Sequence, residues 1–326
     1  MSVVRYYGAK PDTYDHRDHR KVYSQAEIPS SRYHPKVNLS KYVVSVYNQG
    51  RLGSCTANAL CGTYALDLQK QSETLRGGYE YFTPSRLFLY YNTRQYEGDE
   101  HWDAGASIRD TVKALNRQGV CEESEWPYDV RKYTQKPPRR CYDAAKGNTL
   151  CKYERLLEDA VSDEQRINQL RACLKDNCPF VFGFKVYKSF DDRSNRLYGS
   201  MPMPTWEEKR RNPDGRHAVA AVGYDDRNRH IIVLNSWGSD WGDNGYFYMP
   251  YEFITDSDMC FDFWKITFAC QRGKPRPKDT MYFEGGSGSG GYSASGSRYS
   301  SSWAKGYSTG YSGARGYGSS GGKRWY

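Results

Sequence analysis

The 326-residue sequence predicts an α+β protein of two lobes, helical in its first half and rich in β-structure in its second. Two observations carry that prediction. Before residue 176, apolar residues recur three times at helical spacing. After residue 179, short β-branched or aromatic runs are separated by turn residues. Helices gathered early and strands gathered late make an α+β arrangement of two lobes.

Residues 1–35 are polar, rich in Tyr, His and Asp ("PDTYDHRDHRKVYS"), and show no sustained period, so they read as an extended arm. A globular composition runs from 36 to 272. Its first helix follows Cys55, where Leu60, Tyr64 and Leu68 form an i, i+4, i+8 stripe. A second lies in "SIRDTVKALNRQG", with Ile108, Val112 and Leu115 on one side and Gly119 as its stop. A third fits "SDEQRINQLRACLKD", capped by Ser162 or Asp163. Strands follow in "PFVFGFKVY", "HAVAAVGYDD", "HIIVLNSW" and "GYFYMP", the middle two joined as a hairpin through "DDRNR". Residues 273–326 are nearly all Gly, Ser and Tyr beyond "GKPRPKD". Such a segment buries too little apolar surface to offset its ordering entropy, and disorder is expected.

The formal net charge is +9, and the acid-free stretch from Gly285 to Tyr326 supplies five of those charges. Any nucleic-acid argument therefore rests on the tail. No apolar run reaches the roughly 20 residues that span a bilayer, and "MSVVRYYGAK" has no signal-like apolar core. A cytoplasmic or virion-associated protein is expected, with no membrane partner and with its nine cysteines free in a reducing compartment. There is no C-x-x-C pair, and Cys173 and Cys178 have no neighbouring His, so neither metal nor cofactor is expected.

The stretch "NQGRLGSCTANAL" puts Cys55 at a helix N-terminus, where the macrodipole and free N–H groups favour a thiolate. Of six histidines, His217 opens a strand that turns near Arg227 or Asn228 and returns. Antiparallel pairing then sets it opposite a residue about 20 further on, give or take two, which brings Asn235 beside it. Singly, these residues read as a buried thiol, a core histidine and a turn residue. In this order they form a nucleophile, a base and an orienter.

The blocks "NQGRLGSC", "HAVAAVGY" and "NSWGSDWGDNGYFYMP" resemble those of papain-family cysteine proteases, over about residues 35–265, in a style similar to a compact branch from bacteria and large DNA viruses. The resemblance implies a papain-like fold, with a helical N-terminal lobe and a β-barrel-like antiparallel C-terminal lobe. It implies a cofactor-free cysteine endopeptidase working on proteins or peptides through an acyl-enzyme. Cys55 would be nucleophile, His217 base and acid, and Asn235 the orienter of the imidazole. Gln49 would donate to the oxyanion, and Trp237 would cover the His217–Asn235 contact. Gly105 and Ala106 would pair with substrate backbone, and Gly215 and Ala218 would line the pocket for the substrate's second residue. This chain departs from the family at Thr56, where an aromatic is usual, at Leu52, where a disulfide cysteine is usual, and at Arg216, where papain has an acid. The short arm is expected to lie across the cleft as a built-in inhibitor. The alternative is a non-catalytic structural or interaction protein, a virion or assembly component acting through its tail. Either way, Arg and Lys interleaved with Tyr over 285–326 suit weak self-association or binding of single-stranded nucleic acid.

Overall fold

The computed structural model describes residues 6–75, 78–157 and 162–274. The expected disordered tail lies outside these, apart from Gly273 and Lys274. In chain order the elements are β1 (Ala9–Lys10), β2 (Arg20–Lys21), β3 (Lys36–Asn38), α1 (Cys55–Thr74), α2 (Arg86–Glu97), β4 (Ala106–Ser107) and α3 (Ile108–Gln118). Then follow α4 (Arg139–Ala145), β5 (Leu150–Leu156), α5 (Asp163–Lys175), β6 (Phe180–Val186), α6 (Arg193–Tyr198) and α7 (Trp206–Arg210). The chain continues through β7 (Gly215–Asp225), β8 (His230–Leu234), β9 (Tyr246–Pro250), α8 (Tyr251–Thr255) and β10 (Cys260–Ala269).

The helix signals act as read. α1 carries its stripe but is buried on almost every side, as a helix running through a core must be. Ser107 caps α3 by accepting from Asp110 N–H, and Gly119 ends it at φ 77°. Ser162 forms a reciprocal capping box with Gln165 at the start of α5. The strands form one eight-stranded sheet, ordered β2-β5-β10-β6-β7-β8-β9, with β3 added beside β7. That path does not close on itself, so the barrel-like lobe is an open sheet. One core gathers α1, α2 and α3 against one side of the sheet, and a second gathers the other side with α5 and α8.

Cys151 and Cys270 form a disulfide across the paired ends of β5 and β10, with Cα atoms 5.4 Å apart. This overturns the expectation that every thiol stays free: the strand register brings two cysteines separated by 119 positions into bonding range. The other seven are unbonded and buried.

The arm is extended, as read, but it is anchored along its length. The Asp18 carboxylate, on a side chain only 4% exposed, accepts from the Arg109 guanidinium at 2.6 Å, and Asp12 accepts from the Trp264 indole N–H at 2.7 Å. Lys10 pairs with Glu97 and Asp99. β1 pairs in parallel with β4, so the start of the arm runs along the edge of the helical lobe.

Candidate active site

Cys55 is the first residue of α1 and is fully buried. His217 is the third residue of β7, with Phe184 of β6 as its partner on one side. On the other side, the pairing with β8 ends at Ala220 and Leu234, and Asn235 is the next residue of the returning chain, 18 positions after His217 and within the predicted window. His217 Nε2 lies 2.8 Å from Asn235 Oδ1. The same oxygen accepts from Ser236 N–H at 2.8 Å, which fixes the amide orientation and makes Nε2 the donor. A neutral imidazole then carries its lone pair on Nδ1. Trp237 stacks on the ring with centroids 5.0 Å apart and planes 26° from parallel.

Gln49 is fully buried, in the turn before α1. Its Nε2–H group donates to Leu52 O at 2.9 Å and to Tyr6 O, in the arm, at 3.1 Å. Its Oε1 accepts from the Ser236 hydroxyl at 2.7 Å, and its N–H donates to Ser236 O. Ser236 therefore orients the Asn235 and Gln49 amides together. Sequence reasoning passed over it, although it lies inside the quoted "NSW" block.

The arm fills the cleft. Ala106 N–H donates to Gly8 O at 2.8 Å. Gly105, at φ 72°, has no room for a side chain, since a Cβ there would lie 2.2 Å from Gly8 O. Gly215 faces the Tyr7 ring, 2.5 Å from where its own Cβ would be. That ring meets His217 edge-on at 6.0 Å and Trp237 at 6.2 Å. Ala218 is buried, and its N–H, like those of Gly8, Thr56 and Cys55 itself, favours the charged form of the Cys55 thiol. Burial nonetheless pushes the Cys55 thiol up to about 11, with these donors acting in the opposite sense. The thiolate expected at a helix N-terminus is thus not favoured under the arm, because desolvation outweighs the dipole.

A thiol at a helix N-terminus and an imidazole held by an amide across a hairpin are the kinds of group that acyl transfer uses. Comparison with known proteins agrees. The model of the papain family cysteine proteases matches residues 34–260. The chain belongs to that family. It is 42% identical over 225 residues to an uncharacterized peptidase C1-like protein of Acanthamoeba polyphaga mimivirus, covering 68% of this chain and 70% of that one. The crystal structure of xylellain, a cysteine protease from Xylella fastidiosa, superposes with a TM-score of 0.70 at 39% identity, over 82% of this chain and all of the other. Digestive procathepsin L 3 of Tenebrio molitor shares the fold, with a TM-score of 0.58 at 20% identity over 82% and 77% of the two chains. This protease is thus akin to bacterial and viral relatives, the compact branch that its motifs resemble.

Proposed function

We propose that this papain-family protease hydrolyses peptide bonds through Cys55, His217 and Asn235 by way of an acyl-enzyme, and that its own arm holds it inactive. The observation that carries the reading is the double use of the Asn235 oxygen, which commits His217 Nε2–H and leaves Nδ1 as the ring's proton acceptor. Cys55 Sγ bonds to the scissile carbonyl carbon while its proton passes to His217 Nδ1. The resulting oxyanion accepts from Gln49 Nε2–H and from the Cys55 N–H. The C–N bond then breaks, and the amine leaves with the proton from His217. Water, deprotonated by His217, attacks the thioester, and Cys55 departs as the thiol.

The arm reading rests on Tyr6 O, a carbonyl oxygen already bound at the Gln49 donor that the oxyanion would need. While residues 6–8 are seated, no substrate carbonyl reaches that donor. The test is labelling with an epoxide-type thiol reagent, with the adduct located by mass spectrometry. Selective modification of Cys55 among the free thiols, abolished in His217→Ala, supports the activated pair. Indiscriminate labelling, or none at Cys55 even with the arm displaced, overturns it.

A further inference from the structure

The family usually ties the loop ahead of the nucleophile with a disulfide, and Leu52 removes that option here. A different tie occupies the cleft. The Asp103 carboxylate accepts from Gly53 N–H at 3.1 and 2.9 Å through its two oxygens. The Tyr90 hydroxyl donates to the same carboxylate. Gly105 N–H in turn donates to the Tyr90 oxygen at 3.1 Å. One carboxylate and one phenol thus connect Gly53, two residues before Cys55, to Gly105, at the edge of β4. These glycines are the two walls that hold Gly8. The Gly8 Cα is 3.4 Å from where a Gly53 Cβ would be, and Gly8 O is 2.2 Å from where a Gly105 Cβ would be.

The rest of the network keeps the tie rigid. Tyr90 is fully buried, and burial, followed by the Asp103 charge, pushes its phenol well above the usual range, so it stays protonated as a donor. The Arg94 guanidinium lies 4.1 Å over the Tyr90 ring. Its N–H groups hold the carbonyls of Glu100 and Trp102 at 3.1 and 2.5 Å, fixing the loop that carries Asp103.

We infer that Asp103, acting with Tyr90, is a positioning residue that sets the width of the slot for a substrate backbone. It does so without touching the reacting atoms. The inference rests on the proposed reading of Cys55 as nucleophile and of Gly105–Ala106 as the substrate edge. The brace itself can be tested apart from that reading.

The test compares Asp103→Ala, Asp103→Asn and Tyr90→Phe in full-length protein that also carries Gly8→Ala to unseat the arm. Asp103→Ala removes two acceptors, so kcat/KM should fall about tenfold, chiefly through KM. Alkylation of Cys55 by iodoacetamide, which needs no backbone slot, should stay within about twofold of the parent. Asp103→Asn keeps an oxygen for Gly53 N–H and should recover most of the loss, whereas Tyr90→Phe should resemble the alanine variant. Amide hydrogen exchange at Gly53 and Gly105 supplies the readout that does not depend on turnover. Both amides should exchange faster in Asp103→Ala and be protected again in Asp103→Asn. Unchanged exchange at both overturns the brace, whatever the activity. A fall in alkylation parallel to that in kcat/KM also overturns it, because the damage would then be general. An inactive parent with the expected exchange pattern overturns the proteolytic reading and leaves the brace standing.

Discussion

Replacing Gly8 with alanine asks whether the arm controls the site. The added Cβ would lie 1.8 Å from Gly53 O and 2.5 Å from Gly53 C, both backbone atoms held in the loop before Cys55. Neither side can yield, so residues 6–8 must lift. Lifting breaks the bonds from Ala106 N–H to Gly8 O and from Gln49 Nε2–H to Tyr6 O. Two hydrogen bonds at about 1 kcal/mol each, plus about 1 kcal/mol for the half-buried Tyr7 ring, total about 3 kcal/mol. The balance between seated and open arm then shifts by on the order of 10². The assay is the second-order rate of Cys55 modification by the epoxide reagent, which should rise toward that factor until the fully open enzyme sets the limit. The outer anchors, Asp18–Arg109 and Asp12–Trp264, are untouched, so circular dichroism and the melting transition should stay native. A folded Gly8→Ala protein labelled at the wild-type rate would refute the reasoning. Deleting residues 1–35 is a harsher test, because it also uncovers the core around buried Tyr23.

The remaining predictions concern the site and its supports. In the Gly8→Ala background, Gln49→Ala should lower kcat by about 10²–10³, the usual cost of one oxyanion donor, and an unchanged kcat would remove Gln49 from the mechanism. Asn235→Ala, which frees the imidazole to rotate, should cost on the order of 10² in kcat, read in the same peptide assay. Asp12 is raised to about 7 by burial and by the neighbouring Asp262 carboxylate, against the Arg109 and Trp264 donors. Seating of this segment therefore takes up a proton. Its stability is fully present below the free carboxyl range and is lost as pH rises through about 7. Arm release, measured as the Cys55 labelling ratio of wild type to Asp12→Asn, should climb from pH 5 to pH 8, and a falling ratio would contradict the sign. Losing the Cys151–Cys270 link, which closes a 119-residue separation, should cost up to about 5 kcal/mol in denaturant unfolding. Titration of the unfolded, unreduced chain should find seven thiols, and nine would show the link absent.

The site was legible because its residues sit in local context that sequence preserves. A hairpin fixes a register, so the distance from His217 to Asn235 could be counted within two positions. Other parts carried no comparable signal. α2 has a cap in Ser85 and a stop in Gly98 at φ 82°, yet "RLFLYYNTRQYE" mixes aromatic and polar residues around the helix, and the stripe is lost. β10, "CFDFWKITFA", lies between β5 and β6 and is nearly all buried, so it shows no alternation from which to read a strand. Asp103 and Tyr90 look like ordinary polar residues until the fold brings both to Gly53 and Gly105. The Cys55 thiol under the arm departs from the helix-terminus expectation for a physical reason. The helix terminus is visible in the sequence, but the arm that dries the sulfur arrives from some 47 positions away.

The anchors at Asp12 and Asp18 lie outside the cleft, so residues 6–8 can lift and return while the arm stays attached. On the proposed reading, seating is a unimolecular event whose strength is an effective concentration, of millimolar order for a short tether. Dilution then leaves the enzyme inactive, whereas a detached peptide copied from residues 6–10 inhibits poorly. Substrate can compete for the slot without the arm being cut, and the arm reseats when the substrate is gone. Inhibition of this kind is reversible, and cutting the chain between Gly8 and Asp12 would make it permanent loss of the block.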